Sequence, residues 1–309
     1  MNAGPGTDLP DWLRSWCVDQ LGHEPISVLF ELRSISAVYG LRLAGGRDIV
    51  VKAREDEGRE ASCVAAQAWL AERGFPCARP ITLAVSVGTL VVHAEESLPG
   101  GEMLLGESSD VAERYAAVFA RLMTELADLA VDPPLPNPRW IRWDHADSEL
   151  WPAIGFLDEQ DQSVVPEHVI ETANRVRKRL LAADLPCVLG HGDFEAQNLR
   201  WRNGDLWAVH DWDSLAWQPE AALVGAASGA FANSGPPTLA PIESSAAFLA
   251  TYQDLRGRRF TAEEQEIAWA ASLWTPVHNA RWESLHGTAP VSREAVREQA
   301  AERLRRANA

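Results

Sequence analysis

The strongest constraint on the fold is the order in which two kinds of hydrophobic pattern follow each other along the chain. Short apolar runs of strand character come first, and Gly45-Gly46 separates two of them as in a hairpin. Beyond residue 98 the apolar residues recur mostly at helical spacing, with one further hairpin embedded. A small strand-rich part followed by a mostly helical part predicts an α+β fold with two lobes, residues 1–97 and 98–309.

The individual elements follow from apolar periodicity and from the turn residues between them. Strands are predicted at 26–32, 37–43, 48–53, 81–87 and 89–93. Helices are predicted at 10–21, 59–73, 111–129, 169–183, 246–254, 262–281 and 292–309. Leu98-Pro99-Gly100-Gly101 is rich in turn residues and is predicted to connect the lobes.

Charge and cysteine content restrict the partners and the compartment. The net charge of -16 repels phosphate backbones and anionic membrane surfaces, so nucleic acid and membranes are poor partners, whereas a cationic substrate would be attracted. No cysteine lies in a CxxC pair or at zinc-ligand spacing, which favours a reducing compartment. The N-terminus lacks the basic and apolar regions of a signal peptide, and we therefore expect a cytoplasmic protein.

The segment from Val188 to Ser214 carries the polar residues of greatest interest. His191-Gly192-Asp193 opens a polar loop that continues to Asn198. Asn203-Gly204 is a strong signal for a type I′ turn between two short strands. The second strand leads into His210-Asp211-Trp212-Asp213.

A hairpin places the loop before its first strand next to the loop after its second strand. We therefore expect Asp193 and Asn198 to approach Asp211. Two carboxylates and an amide supply oxygen ligands for a hard cation, and Mg²⁺ binds in this way with substrate phosphates completing its shell. Phosphoryl transfer also needs a carboxylate that orients the attacking hydroxyl, so one acid is left for that role.

These residues resemble the motif set of the aminoglycoside phosphotransferase family, a distant relative of protein kinases. The matching residues are His191-Gly192-Asp193, Asn198 and Asp211. The resemblance extends to Ser34 to Tyr39 as a nucleotide loop, to Val50-Val51-Lys52 as the phosphate-binding strand and to Leu98-Pro99-Gly100 after the hinge. It implies a bilobal protein-kinase-like fold with a small antiparallel-sheet lobe and a larger, mostly helical lobe.

The resemblance also implies roles for individual residues. Asp193 would be the catalytic carboxylate, while Asn198 and Asp211 would hold Mg²⁺. Lys52 would contact the phosphates of ATP or GTP. The remaining nucleotide contacts would come from Ser34 and Ser36 over the phosphates, from the backbone between Ala94 and Ser97, including Glu96, at the base edge, and from Glu60 as the partner of Lys52.

Several positions depart from the family pattern, among them Glu195, which replaces a usual His, and His210, which replaces a usual aliphatic residue. The nucleotide loop has no glycine between Ser34 and Tyr39, so its backbone cradle for phosphate is expected to be weaker. Glu60 lies about one helical turn earlier than expected, and Glu57 is the alternative partner of Lys52.

Candidates for the acceptor site lie in the helical lobe. They are Glu195, Asp213 and the aromatic face that Trp274, His278 and Trp282 form at i, i+4 spacing. For Trp274 and His278 a place in the core is the more ordinary interpretation.

Three functions remain open on the sequence. The first is an ATP-dependent phosphotransferase that modifies a hydroxyl group of an aminoglycoside-like antibiotic or another polar hydroxylated compound. The second is a kinase of a metabolite such as choline, homoserine or a sugar on the same fold. The third is a nucleotide-binding regulatory module without catalytic activity.

Overall fold

Five antiparallel strands form the sheet at the centre of the first part of the chain. The computed structural model describes residues 9–309. The strands are β1 (Pro25–Arg33), β2 (Ala37–Leu43), β3 (Asp48–Glu55), β4 (Val85–Val87) and β5 (Leu90–Glu96), in the order β1-β2-β3-β5-β4. Helix α1 (Asp11–Leu21) precedes the sheet, and α2 (Glu60–Glu72) lies between β3 and β4 in the chain.

Apolar side chains on one face of the strands form the core of this sheet. Ile49 and Val51 on β3 are fully buried and belong to one apolar cluster with Leu41 of β2 and Val92 of β5. Helix α1 contributes Leu13 to the same cluster. The predicted strand at 81–87 is shorter than expected, because the N–H groups of residues 81 and 82 both donate to the Ala94 carbonyl outside a regular ladder.

The chain falls into two compact units. The first unit comprises the described residues up to Gly100 together with Leu129–Pro136 and Ala208–Trp212. The second unit comprises Gly101–Asp128, Asn137–Trp207 and Asp213–Ala309. The division between lobes at residues 97 and 98 stays a prediction, and residues 1–8, for which no signal peptide is predicted, lie outside the described part of the chain.

The second unit is mostly helical. Its helices are α3 (Ser109–Ala127), α4 (Gly155–Asp158), α5 (Glu167–Leu181), α6 (Glu220–Ala230), α7 (Ile242–Arg256), α8 (Ala262–His286) and α9 (Val291–Arg306). Its strands are β6 (Cys187–His191), β7 (Leu199–Arg202), β8 (Asp205–Val209), whose last two residues count with the first unit, and β9 (Leu215–Pro219). Among residues 9–309 no helix is both long and apolar enough to span a bilayer.

Local chemistry explains where the longest helix begins and ends. Thr261 and Glu264 form a capping box at the start of α8, in which each side chain accepts a hydrogen bond from the other residue's backbone N–H. Gly287 ends the helix with a positive φ of 61°. Pro276 lies inside α8, and the helix nevertheless runs on as one element.

Two strands flank the polar loop that the sequence singled out. β6 pairs antiparallel with β9, from Cys187 opposite Pro219 to His191 opposite Leu215. Neither β6 nor β9 is predicted from the sequence, since the two partners are far apart in the chain. The predicted Asn203-Gly204 turn is confirmed, because both residues have positive φ, 53° and 88°.

Candidate active site

Backbone hydrogen bonds fix the loop that carries Asp193. The Gly192 N–H donates to the Ser214 carbonyl at 2.8 Å, which ties the loop to the residue before β9. The Asp193 N–H points to the Nδ1 atom of His191 at 3.3 Å, and the Asp193 carbonyl accepts from the Glu195 N–H at 3.0 Å. The Asp193 side chain is thereby held in a defined, half-buried position at the end of β6.

Glycine is required at position 192 by the space around it. A Cβ atom there would lie 2.0 Å from Cδ1 of Ile141 and 3.2 Å from the Ser214 carbonyl oxygen. The latter atom already accepts the Gly192 N–H, so it cannot move away without breaking that bond. The arginine that protein kinases carry before the catalytic aspartate has no room in this loop.

An aromatic cluster anchors the residue that follows Asp193. The Phe194 side chain is almost fully buried, and its ring centre lies 4.8 Å from that of Phe119 on α3. Tyr115 and His191 contact the same ring edge to face, at 6.4 Å and 6.0 Å. Such pairs stabilise by about 1 kcal/mol each beyond the burial of area. The buried ring therefore holds the neighbouring carboxylate in place.

Asp193 and Asn198 lie together, as the sequence predicted. The Asn198 amide nitrogen donates to the Asp193 carbonyl at 2.8 Å and to the Asp193 carboxylate at 3.1 Å. Because both amide hydrogens point to Asp193, the amide oxygen of Asn198 is the atom left to bind a cation. The arrangement offers a carboxylate in a fixed orientation beside a neutral oxygen ligand.

Asp211 has a backbone conformation that is rare for its residue type. It follows β8 with a φ of 60°, the left-handed region that aspartate enters more readily than most residues. Residues in this region outside turns concentrate at functional sites. Asp211 belongs to the first unit and lies near the Arg54 guanidinium, while Asp193 and Asn198 belong to the second. The expected convergence of the three side chains stays a prediction.

Lys52 has a carboxylate partner that differs from the predicted one. Its ammonium lies 3.4 Å from the Glu95 carboxylate, and both side chains are more than nine-tenths buried. The expected pairing of Lys52 with Glu60, or with Glu57, stays a prediction. Glu60 is the first residue of α2, and its carboxylate accepts the Arg59 N–H at 3.1 Å.

The surroundings of Lys52 are buried and highly charged. Burial raises the pKa of the Glu60 carboxyl above its ordinary value. Burial also lowers the pKa of Arg54, an effect that the Asp211 and Glu60 carboxylates oppose. Burial, with the charges of Lys52 and Arg54 added, lowers the pKa of His93 well below its usual range. The His93 ring is therefore neutral at physiological pH and does not compete for the carboxylates.

The predicted nucleotide-loop and hinge residues lie at two places in the first unit. Ser34 and Ser36 are in the turn between β1 and β2, where the Ser34 N–H donates to the Ser36 carbonyl at 3.0 Å. On β5 the Ala94 N–H donates to the Thr82 hydroxyl at 2.9 Å, and the Glu96 N–H donates to the Arg79 carbonyl at 2.9 Å. The predicted contact of the backbone between Ala94 and Ser97 with a nucleotide base stays a prediction.

A cavity of about 420 Å³ in the second unit is the candidate acceptor site. Glu195, a predicted acceptor residue, lines it and accepts a hydrogen bond from Gln197 at 2.6 Å. Trp282 forms an aromatic wall and stacks on His286 with ring centres 3.9 Å apart. The other lining residues are Gln197, Pro236, Pro237, Asn279, Glu283, Thr288, Ala289 and Ser292.

Trp274 and His278 do not line this cavity. Trp274 is fully buried, and its ring lies 4.9 Å from that of His278. Both rings pack on Trp151, at 6.1 Å and 4.7 Å. Trp274 belongs to the core and the half-buried His278 packs against it, so Trp282 alone of the predicted aromatic face lines the cavity. Asp213 is buried in the second unit and is not among the lining residues.

The comparison with known proteins decides the family. A family model described as the phosphotransferase enzyme family matches residues 33–227, well over half of the chain. The chain belongs to the phosphotransferase enzyme family. It is a phosphotransferase that acts on hydroxyl groups of small molecules, and the regulatory-module alternative is not favoured. A search of curated protein sequences finds no match.

Solved structures confirm the kinase-like α+β fold of this phosphotransferase. An amicoumacin kinase in complex with AMP-PNP, Ca²⁺ and its ligand is 13% identical, with a TM-score of 0.60 over 91% of this chain and 88% of that one. A spectinomycin phosphotransferase with ADP and spectinomycin is 12% identical, with a TM-score of 0.53 over 97% and 94%. A thermostable aminoglycoside phosphotransferase with ADP and hygromycin B is 14% identical, with a TM-score of 0.53 over 96% of each chain.

Several residues of the phosphotransferase site carried no signal in the sequence. Strand pairing brings Glu95 to Lys52, and helix packing brings Gln67 to Glu95, which no local motif encodes. Asn279 and Gln197 line the cavity from separate elements. The one available signal was the position of Asn279, three residues before Trp282 and therefore on the same face of α8.

Proposed function

We propose that this phosphotransferase moves the γ-phosphate of ATP or GTP onto a hydroxyl group of a small, cationic, polyhydroxylated acceptor, such as an aminoglycoside-like antibiotic. The observation that carries the proposal is the hydrogen bond from Asn198 to the Asp193 carboxylate in a loop that leaves room only for glycine at position 192. A carboxylate fixed in this way suits the task of orienting an attacking hydroxyl.

Each remaining side chain would have a separate role in proton transfer, phosphate binding or metal binding. Asp193 would accept the hydrogen bond of the acceptor hydroxyl and take its proton as the bond to phosphorus forms. Lys52 would bind the phosphates of the nucleotide. The Asn198 amide oxygen and the Asp211 carboxylate are the ligands that would hold Mg²⁺. When bound, Mg²⁺ would neutralise the charge of the β- and γ-phosphates.

The donor set suits a metal that arrives with the nucleotide. Among residues 9–309 no group of three or more His, Cys, Asp or Glu side chains is arranged to hold a metal ion. One carboxylate and one amide oxygen are too few for a cation held by protein alone. Mg²⁺ normally completes such a set with phosphate oxygens and water.

The cavity beside Glu195 supports a cationic acceptor. Glu195 is buried yet lines the cavity, so an ammonium group placed there would meet a carboxylate away from bulk water. The exposed face of Trp282 suits the apolar face of a sugar or cyclitol ring. The net charge of -16 would also attract a cationic acceptor. A cytoplasmic location, favoured by four unpaired cysteines, goes with this proposal.

The test is phosphate transfer from ATP and from GTP against a panel of acceptors, with products identified by mass spectrometry. The panel contains aminoglycosides, choline, homoserine and neutral sugars, each with and without Mg²⁺. We expect a cationic polyhydroxylated acceptor to be phosphorylated only with Mg²⁺. Preferred phosphorylation of choline, homoserine or a neutral sugar would replace the acceptor class by that metabolite. Tight nucleotide binding with no acceptor modified would overturn the proposal.

A pair of variants tests the acceptor cavity. Glu195→Gln removes the charge without changing the shape, so we expect the KM of a cationic acceptor to rise about tenfold while the KM of the nucleotide stays the same. Glu298→Gln is the matched control, since Glu298 is an exposed acid on α9. Equal effects of the two changes on the acceptor KM would contradict a role for the Glu195 carboxylate.

A further inference from the structure

The lysine proposed to bind the nucleotide is held by a neighbouring strand. Lys52 on β3 stands opposite His93 on β5 in the antiparallel register. Glu95 lies two residues further along β5, so its side chain is on the same face of the sheet as that of His93. The Glu95 carboxylate reaches the Lys52 ammonium at 3.4 Å. The ion pair therefore lies entirely within the sheet.

Helix α2 contributes an amide to this group of side chains. The Gln67 side-chain nitrogen donates to the second carboxylate oxygen of Glu95 at 2.7 Å. Its other hydrogen bond goes to the Ala78 carbonyl at 2.8 Å, and Gln67 is 1% exposed. One oxygen of Glu95 thus faces Lys52 while the other is fixed by Gln67, and Gln67 in turn is fixed by backbone.

Because these side chains are buried, the loss of any one contact among them has a large energetic cost. Lys52, Glu95 and Gln67 are each more than nine-tenths buried, and His93 beside them is neutral. A buried ammonium that loses its carboxylate keeps its desolvation cost without compensation. Gln67 carries no charge, so its loss would loosen Glu95 without leaving an ion unpaired.

We propose that Glu95 and Gln67 are positioning residues for the nucleotide-binding lysine: Glu95 orients the Lys52 ammonium, and Gln67 locks Glu95. The inference rests on the proposed function only in assigning the phosphates to Lys52. In protein kinases the corresponding acid is on the helix, so the position of the helix controls the lysine. In this chain the sheet holds the lysine, and α2 acts on it only through a neutral amide.

The chain offers an unusually clean spectroscopic test, because it has just two lysines, Lys52 and Lys178, among 28 Lys and Arg residues. Protein labelled with ¹³C at lysine Cε and ¹⁵N at Nζ gives one pair of signals for each. Lys178 is exposed on α5 and serves as an internal reference. A buried, ion-paired ammonium exchanges its protons slowly, so only the Nζ signal of Lys52 should be observable near neutral pH.

Four variants separate positioning from a merely structural role. Glu95→Gln keeps the shape and removes the charge, Glu95→Asp keeps the charge, and Gln67→Met removes the amide. Glu72→Gln is the control, since Glu72 is an exposed acid at the end of the same helix. Circular dichroism and thermal unfolding establish that each variant folds.

We expect Glu95→Gln to abolish the slow exchange at Lys52 Nζ and to raise the Kd and KM of ATP about tenfold, with the acceptor KM unchanged. Gln67→Met should raise the Kd and KM of ATP about threefold. The Nζ signal of Lys52 should remain observable in this variant but at a shifted frequency. Glu95→Asp should recover part of the loss, and Glu72→Gln should match the wild type. The Lys178 Cε signal should not change in any variant.

The outcomes distinguish this inference from the function on which it rests. A Lys52 signal and an ATP Kd in Glu95→Gln equal to those of the wild type would overturn the inference, even if its melting temperature fell. An effect of Gln67→Met as large as that of Glu95→Gln would overturn the order of the two roles. A wild type that binds no nucleotide would refute the proposed function, while the lysine spectra would still report the ion pair.

Discussion

Replacing Gly225 by alanine tests whether α6 and α8 pack at backbone distance, because the change should destabilise the chain although it favours helix formation. A Cβ atom at position 225 would lie 2.1 Å from the Ala268 carbonyl oxygen and 2.6 Å from the Ala268 Cα. Ordinary contact begins at 3.4 Å, so the helices must separate by about 1.3 Å at this point. No rotamer change relieves the clash, since the obstacle is backbone.

The magnitude follows from two opposing effects. Alanine in place of glycine inside a helix gains about 1 kcal/mol from propensity. Overpacking against a rigid neighbour costs about 3 kcal/mol, the upper end of the usual range. The net loss is about 2 kcal/mol, which lowers the melting temperature by about 3 °C for 309 residues.

Differential scanning calorimetry of Gly225→Ala beside Gly155→Ala is the assay. Gly155 is also in a helix, and a Cβ atom there would meet nothing within 4 Å. We expect Gly155→Ala to leave the melting temperature unchanged or slightly higher. A Gly225→Ala protein as stable as the wild type would refute the close crossing of α6 and α8 at this point.

Three further changes have expected outcomes. Burial lowers the pKa of His278 from 6.5 to about 3. Between pH 6.5 and pH 3 the imidazole is therefore protonated in the unfolded chain but neutral in the folded chain. The free energy of unfolding consequently falls as the pH is lowered through this range. Between about pH 6.5 and pH 5, His278→Gln should reduce the loss in free energy of unfolding by about 1.5 kcal/mol, measured by urea unfolding. An unchanged pH dependence would contradict the burial of this ring. Thr261→Ala opens the capping box with Glu264 and should cost about 1 kcal/mol in the same assay, whereas no loss would show that α8 does not depend on its cap. Trp282→Ala should raise the acceptor KM about tenfold with the ATP KM unchanged, and an effect on ATP alone would place the acceptor elsewhere.

Features set by neighbouring residues could be predicted from the sequence. The Asn203-Gly204 turn depends on two residues that tolerate positive φ, and both have it. The approach of Asn198 to Asp193 depends on the five-residue spacing within one loop. The order of strand-like and helix-like apolar patterns along the chain predicts an antiparallel sheet before a helical region, and the fold class follows from that order.

Features set by distant residues could not be predicted. Helix α6 was missed because it is buried on nearly every side, so its apolar residues show no helical periodicity. The ion pair of Lys52 with Glu95 was not predicted, because the kinase pattern places the acid on the helix, whereas strand register brings Glu95 to the lysine. Trp282 and Trp274 share one helix face in the sequence, but only the former lies where the helix leaves the core.

The most direct test of the central claim is the rate of phosphate transfer by Asp193→Asn with saturating ATP, Mg²⁺ and the best acceptor. Asp205→Asn, an exposed aspartate in the hairpin after β7, is the matched control. We predict that Asp193→Asn lowers kcat by roughly 10² to 10⁴ while the ATP Kd changes less than about twofold, and that Asp205→Asn behaves as the wild type. An Asp193→Asn enzyme with the kcat of the wild type would contradict the account.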